Sequence, residues 1–241
     1  MGRAKEITIK VIPSSIAVPF VKKTHYSKKT VNNSILHFGV FMDEVLHGVM
    51  SFGSPLDKRK VLGLVIDPEG KPAPWNDMLE LNRMAFDDVL PRNSESRAIA
   101  LAIKLIKKNA SNVKWILSFA DGCQCGDGTI YRASNFKLTL IKPNHNSAML
   151  PSGETIHKMT LESNPTASRR ELSGRSYYDV TGGRYDFKKY VQETGAKILT
   201  GFQLRYIYII DTDYKLSVPE IPYSKIVEMG AGMYKGEKRR A

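Results

Sequence analysis

The stretch that decides the fold is residues 78–119, MLELNRMAFDDVLPRNSESRAIALAIKLIKKNASNVKWILSF. Its first part, Met78 to Phe86, alternates apolar and polar side chains as a half-buried strand does. After a turn, Ile99, Ala102, Ile103 and Ile106 recur at helical spacing. The spacing predicts a helix capped by Asn93 or Ser94, with Glu95 at its positive end and Lys104, Lys107 and Lys108 at its negative end. Val113 to Phe119 is nearly unbroken apolar sequence, as expected of a strand covered on both faces. Strand, helix and apolar strand in this order make a crossover unit, so an α/β fold with a parallel strand pair is expected.

Working outward toward the N-terminus, Ile35–Phe41 and Val45–Phe52 read as a β-hairpin turning at Met42-Asp43-Glu44, with a further strand over Ile7–Ile12. Pro72 and Pro74 make Lys71–Asn76 a loop. Toward the C-terminus, Asp121 opens a glycine-rich loop, Gly122-Cys123-Gln124-Cys125-Gly126-Asp127-Gly128, and Thr129 is placed to cap a short helix through Asn135. Leu138–Ile141 reads as the next strand. From Pro143 to about Gly183 the chain turns to Ser, Thr, Asn, Pro and Gly without a sustained period. A short helix over Asp186–Thr194 and a strong strand over Phe202–Ile210 follow, with Lys215–Ile221 expected beside that strand. The expectation is one domain over residues 1–241 with an insertion at 143–200, and no internal repeat.

The chain has 241 residues, enough for one core with an embellishment. With 42% hydrophobic and 25% charged residues it is an ordinary globular composition, neither disordered nor collagen-like. The longest apolar run, Phe202–Ile210, is broken by Gln203 and Arg205 and is too short for a membrane span, so no membrane partner is expected. Met1–Lys10 has no continuous apolar signal core, which points to the cytoplasm. Two cysteines only two residues apart exclude a secreted disulfide scaffold.

Charge gives the first functional indication. Thirty-six Lys and Arg against 24 Asp and Glu leave a net +12, a bias toward polyanions. Residues 1–60 carry ten basic and four acidic side chains, and Lys22, Lys23, Lys28 and Lys29 crowd around Thr24-His25-Tyr26. Basic groups interleaved with an aromatic suit phosphate contact and base stacking, although such a run is also how a solvated face looks. Arg169, Arg170 and Arg175, beside Tyr177, Tyr178 and Tyr185, form a second candidate DNA-contacting set.

The residues that could carry chemistry are few. Asp121 ends a buried strand, where α/β sheets usually hold ligands, so Asp121, Asp127 and Tyr131 are placed to face one crevice; the plain alternative for Asp127-Gly128 is a turn. Cys123-x-Cys125 lacks the second pair or the histidines that a structural zinc needs. His25 lies in a polar segment, and His37, His47, His145 and His157 show no metal-binding spacing. Arg83 interrupts an apolar strand and, if inward, needs an anionic partner, either an internal carboxylate or a ligand phosphate. At the helix start, Asn93, Ser94, Ser96 and Arg97 offer donors to an anion, but the loop has no glycine to let backbone approach a pyrophosphate.

Several runs together resemble a known family. They are Glu80-Leu-Asn-Arg-Met84, Asn93-x-x-Ser96-Arg97, Trp115-Ile-Leu-Ser-Phe-Ala-Asp-Gly122, Cys125-Gly-Asp-Gly-Thr-Ile-Tyr-Arg-Ala-Ser-Asn-Phe136, Pro222-Tyr-Ser-Lys225 and Met233-Tyr-Lys-Gly236. They look like the Mom DNA-modification proteins of Mu-like bacteriophages, across most of residues 24–236. The resemblance implies conversion of adenine in double-stranded DNA to its N6-carbamoylmethyl derivative, which shields phage DNA from host restriction. It also implies a GNAT-like fold, a curved mixed sheet flanked by helices, and iron as the associated metal. It places His25, Tyr26, Arg83, Asp121 and Tyr131 around one pocket with Ser96 near it, and His25, Asp121 and Tyr131 as the metal ligands. Acyl-CoA enzymes of the GNAT type carry a glycine-bearing pyrophosphate loop where this chain reads Pro91-Arg-Asn-Ser-Glu-Ser-Arg97, which argues against acetyl-CoA as the small-molecule group donor. A CoA-dependent N-acyltransferase and a non-catalytic basic DNA-binding protein are the alternative readings. The donor and the oligomeric state are not fixed by the sequence.

Overall fold

A computed structural model describes residues 3–234 and 237–238; Lys235 and Gly236 of the Met233–Gly236 run lie outside the described residues. The strands are β1 (Thr8–Val11), β2 (Ser34–Met42), β3 (Val45–Gly53), β4 (Val65–Ile66), β5 (Met78–Phe86), β6 (Trp115–Asp121), β7 (Lys137–Met149), β8 (Thr155–His157), β9 (Lys197–Ile209), β10 (Lys215–Leu216), β11 (Met233–Tyr234) and β12 (Glu237–Lys238). The helices are α1 (Ser14–Thr24), α2 (Ser94–Asn109), α3 (Thr129–Ala133), α4 (Lys158–Glu162), α5 (Tyr177–Thr181), α6 (Phe187–Thr194) and α7 (Ser224–Glu228). Eight strands form one sheet in the order β1-β2-β3-β5-β6-β9-β7-β8. Among the described strands only the central pair β5–β6 runs parallel, and α2 makes the crossover between them, as the apolar patterns require. The expected mixed α/β architecture is the one observed.

The two faces of the sheet are read from its register. Phe38, Phe52, Leu81 and Ile116 point to one side, where Ile99, Ala102 and Ile106 of α2 cover them. Val49 and Ala85 point to the other side, against Ala17 and Val21 of α1. Each fully buried aliphatic or aromatic side chain of this kind contributes about 1.5–3 kcal/mol as an upper estimate. A separate cluster, with Leu150, Leu161, Tyr177 and Tyr190, packs α4, α5 and α6 against the far end of β7.

Two irregularities in the sheet shape the site. Between β3 and β5 the register slips, so that Ser51 faces Arg83 while Phe52 faces Leu81 and Gly53 faces Glu80. Asn82 is the extra residue of this β-bulge, and it puts Glu80 and Arg83, three apart in sequence, on the same face, the α1 side. The second irregularity is a split. Pairing between β5 and β6 ends at Leu81 and Ser118, yet both strands continue, β5 against β3 and β6 against β9. A wedge-shaped gap therefore opens between them toward Arg83 and Asp121.

Several sequence expectations are corrected here. Residues 14–24, to which the sequence pattern assigns no element, form a helix that encloses Pro19. Neither Asn93 nor Ser94 caps α2 with its side chain: Asn93 sits in the left-handed region, and the Ser94 hydroxyl donates back to the Pro91 carbonyl. Gly128, not Thr129, is the N-cap of α3, because only the residue before the first turn can hold the non-helical geometry. The strand begun at Leu138 continues to Met149, and its irregular register past Asn144 hides the alternation. Lys215–Leu216 pairs with β4 rather than β9.

Candidate active site

The gap is furnished from both faces. On the α1 side, α1 stops at His25, whose backbone N–H still donates to the Val21 carbonyl. The His25 ring is 8% exposed, and its Nδ1 lies 2.8 Å from the Ser27 hydroxyl while accepting from the Ser27 N–H. Burial and the nearby Arg83 charge lower its pKa to about 4, so the ring is neutral at pH 7. Tyr26 stacks at 4.2 Å from His25 and is 47% exposed, offering a ring face to solvent. Its hydroxyl is within hydrogen-bonding reach of Cys125, and burial of that end raises its pKa.

Arg83 reaches the same region from β5. Its Nε donates to the Lys29 carbonyl at 3.0 Å and its Nη1 to the Asn82 carbonyl at 2.7 Å. Among the described residues no carboxylate stands within ion-pair distance, so the internal ion pair is not the reason for this arginine. Glu80, beside it through the bulge, is raised to about 7 by burial, which outweighs the attraction of Arg83.

Asp121 closes the carboxyl end of β6. One carboxylate oxygen accepts from the Cys123 N–H at 3.0 Å and from Asn144 at 3.4 Å, the other from Gln124 at 3.3 Å. It thus shapes the loop as well as lining the gap. Cys123 is buried on the Asn144 carbonyl, its pKa pushed up to about 12 by burial and by Asp121, which leaves an inert thiol.

Tyr131 enters from the α2 side, packed at 5.2 Å on Tyr206 and 5.4 Å on Phe136. Its hydroxyl reaches Ser118 where the strands part, and burial raises its pKa. Asp127 does not join the gap. Its carboxylate accepts from Thr129 at 2.8 Å, its carbonyl from the buried Tyr206 hydroxyl, and the turn reading describes it. Ser96 lies on α2, its hydroxyl on the Asn93 carbonyl and its own carbonyl toward Ser134 at the end of α3. Arg97 donates to the Lys5 carbonyl.

The structure brings together four residues that sequence reasoning did not select. Glu80 shares the face of Arg83, His157 lies within electrostatic reach of Asp121 and Arg83, and Ser118 and Asn144 hold Tyr131 and Asp121. His157 caps α4 through Nδ1 at 3.1 Å from the Met159 N–H and feels both Asp121 and Arg83. Glu80 carried a readable signal, since two charges three apart in an apolar strand require a bulge if both are to share a face. The basic sets divide. Lys22, Lys23 and Lys28 are exposed, and Lys29 holds Arg83 through its carbonyl. Arg170 is exposed, Arg169 is half-buried on the Thr160 carbonyl, and Arg175 pairs with Glu193 at 3.6 Å.

Iron finds no ready ligand set in this arrangement. Among the described residues no three His, Cys, Asp or Glu converge on a point, and both Asp121 oxygens already accept hydrogen bonds from the loop and its neighbours. These residues do not fit a preformed iron centre.

The buried His25 has a consequence for stability. Its folded pKa of about 4 lies below the ordinary 6.5, so its contribution is present above pH 6.5 and is lost as pH falls toward 4. Denaturant titrations at pH 7.5 and 4.5 are expected to show His25→Gln losing less stability on acidification than the parent, by up to about 3 kcal/mol. Equal losses would mean that His25 is solvated.

A mixed sheet split at the carboxyl ends of its parallel pair, with aromatic and ionisable side chains in the gap, defines an α/β protein whose candidate site lies at the strand ends. The chain belongs to the Mom protein family, whose profile matches residues 6–225. It is similar to the protein named methylcarbamoylase Mom from Escherichia phage Mu, with 38% identity over 160 residues, 66% of this chain and 63% of that relative's length. Solved structures resemble it more loosely. An N-acetyltransferase from Staphylococcus aureus Mu50 gives a TM-score of 0.45 at 9% identity, covering 85% of this chain and 99% of that one. The ribosomal-protein-S18-alanine N-acetyltransferase from Escherichia coli gives 0.42 at 11% identity, covering 86% and 95%. Among the described residues no helix is long and apolar enough to cross a membrane.

Proposed function

We propose that this protein is a DNA-modifying enzyme that places a carbamoylmethyl group on adenine N6, protecting phage DNA from restriction in the bacterial cytoplasm. Family membership across residues 6–225, which takes in both walls of the gap, is the observation that carries this reading. Adenine N6 is hidden in the duplex stack, so the base must be extruded before a donor can reach it. The half-exposed Tyr26 ring, braced by His25, offers the extruded base a stacking face. Asp121 offers an acceptor for the N6 hydrogens, Glu80 near pH 7 a proton acceptor, and Arg83 a fixed positive charge for developing negative charge. No step is assigned to a metal.

Support for a CoA pyrophosphate cradle is thin. The Ser94 hydroxyl is engaged by Pro91, Arg97 by Lys5, and Asn93, at the N-cap, makes no side-chain capping bond. Nucleosides digested from DNA of cells that express the chain are expected to show a deoxyadenosine heavier by the carbamoylmethyl group. Abundant folded protein with only unmodified deoxyadenosine would overturn the reading in favour of a non-catalytic DNA-binding protein, and an acetylated base would favour the acyltransferase.

Exposed Lys22, Lys23 and Lys28 on the rim suit the phosphate backbone beside the gap. Reversal of all three charges is expected to weaken duplex binding and to reduce the slope of log affinity against log salt by about 3, since each contact releases roughly one counterion. An unchanged slope would place the DNA on another face.

A further inference from the structure

Apart from the gap itself, the protein contains a cavity of about 380 Å³ between α1 and the sheet, at the small end of ligand-site volumes. Ala17 and Val21 of α1 form its apolar wall, and Ser34, His37, Ser51 and Arg83 form the wall on the sheet. The polar wall follows from strand register. His37 of β2 stands opposite Ser51 of β3, which stands opposite Arg83 of β5, so three neighbouring strands each present one polar side chain in a single row. Beside the row, Val49 and Ala85 of the same face meet Ala17 and Val21 of α1.

What this row lacks, among the described residues, is an anion in ion-pair contact with Arg83. His37, 8% exposed, lies with Nδ1 at 2.8 Å from the Ser51 hydroxyl, and its Nε2 has no protein partner among the described residues. Arg83 spends Nε and Nη1 on carbonyls, leaving Nη2 and the net charge unmatched. A half-buried guanidinium without an ion-paired anion is costly, and the His37 Nε2 donates or accepts according to which tautomer Ser51 selects. The complement of such a wall is a small molecule with one or two carbonyl or carboxylate oxygens. Arg83 shares its face with Glu80 and meets the His25 loop at the Lys29 carbonyl, which the Ser27 hydroxyl beside His25 also approaches, so a molecule anchored on Arg83 in the cavity extends toward the gap.

We propose that the cavity under α1 binds a small carboxylate- or carboxamide-bearing molecule through Arg83, His37 and Ser51, and that a carboxamide of this kind with a leaving group on its α-carbon is the group donor: adenine N6 bonds to that carbon as the bond to the leaving group breaks, the leaving group departs with the electron pair, and one N6 proton passes to Glu80. The word donor rests on the function proposed above; the binding site does not. Its oxygen end sits on the polar row and its reactive end points to the gap, which separates the donor from the helix start that a CoA cofactor would use.

The test uses the purified full chain without DNA and two isosteric probes, fluoroacetate and fluoroacetamide, followed by ¹⁹F NMR line broadening. Saturable broadening by at least one probe is expected, and the tighter of the two tells whether a carboxylate or a carboxamide is preferred. His37→Gln should weaken it about tenfold, the loss of one good hydrogen bond. Ala17→Leu should abolish it by filling the cavity, with thermal melts confirming that both variants fold. If Ala17→Leu fails to fold, His37→Gln alone decides. No saturable broadening up to about 50 mM, where such weak sites still register, or broadening that the folded variants leave unchanged, would overturn the proposal. Unmodified adenine together with retained, variant-sensitive probe binding would remove the donor role and leave the site. Modified adenine without probe binding would remove the site and leave the enzyme.

Discussion

Asp121→Asn is expected to leave the protein folded while lowering adenine modification by about a hundredfold or more, the usual scale for loss of a positioned acid or base. The substitution separates the two things Asp121 does. An asparagine oxygen still accepts from the Cys123 N–H at the same place, so the turn into the glycine-rich loop is kept. What disappears is the negative charge beside the gap and the oxygen that accepts from Gln124. Asp127→Asn serves as the internal comparison, because that carboxylate is spent on Thr129 away from the gap. Modification assayed by nucleoside mass analysis should be nearly unchanged there. Parental levels of modified base in Asp121→Asn would show that Asp121 only builds the loop, and the gap would lose its central residue.

The second large effect concerns Gly128. It adopts φ +79°, and a Cβ there would stand 2.5 Å from the Tyr206 ring and 3.0 Å from the Tyr131 ring. Gly128→Ala is therefore expected to lower stability by about 2–4 kcal/mol, combining left-handed strain with overpacking of two buried rings. Urea denaturation should show a lower midpoint with an unchanged slope. Gly153→Ala calibrates the strain alone: its φ is +81° and nothing stands within 4 Å of an added Cβ, so about 1–2 kcal/mol is expected. Equal losses in the two variants would mean that the tyrosines yield freely and that Tyr131 is not firmly held at Ser118.

The sequence made the centre of the fold readable because burial there is simple. β5, α2 and β6 each show one clean period, and the hairpin at Asp43-Glu44 closes with both residues at positive φ, as a short tight turn demands. Legibility fell where a second constraint overlaid the period. In α1, Pro19 and the terminal lysines masked an apolar stripe only two fully buried residues wide, Ala17 and Val21. In β7, Pro143 and the slip between Asn144 and Ser147 broke the alternation. The site was legible in part. His25, Tyr26, Arg83, Asp121 and Tyr131 do gather about the split, whereas Asp127 and Ser96 are engaged elsewhere. Glu80 and His157 were missed because their relevance depends on a bulge and on a distant strand, neither of which spacing alone reveals.

The parting of β5 from β6 also gives the sheet two edges in its interior. Beyond Leu81 and Ser118 each strand keeps one hydrogen-bonded neighbour, so its other side turns peptide groups toward the gap instead of toward another strand. Arg83 already covers one of them, the Asn82 carbonyl, with its own guanidinium. An inhibitor that filled this space with hydrocarbon would strand the remaining peptide groups and lose affinity for every one it dried. Compounds with a rim of alternating donors and acceptors, such as amides or aminopurines, are the chemotypes this opening should accept.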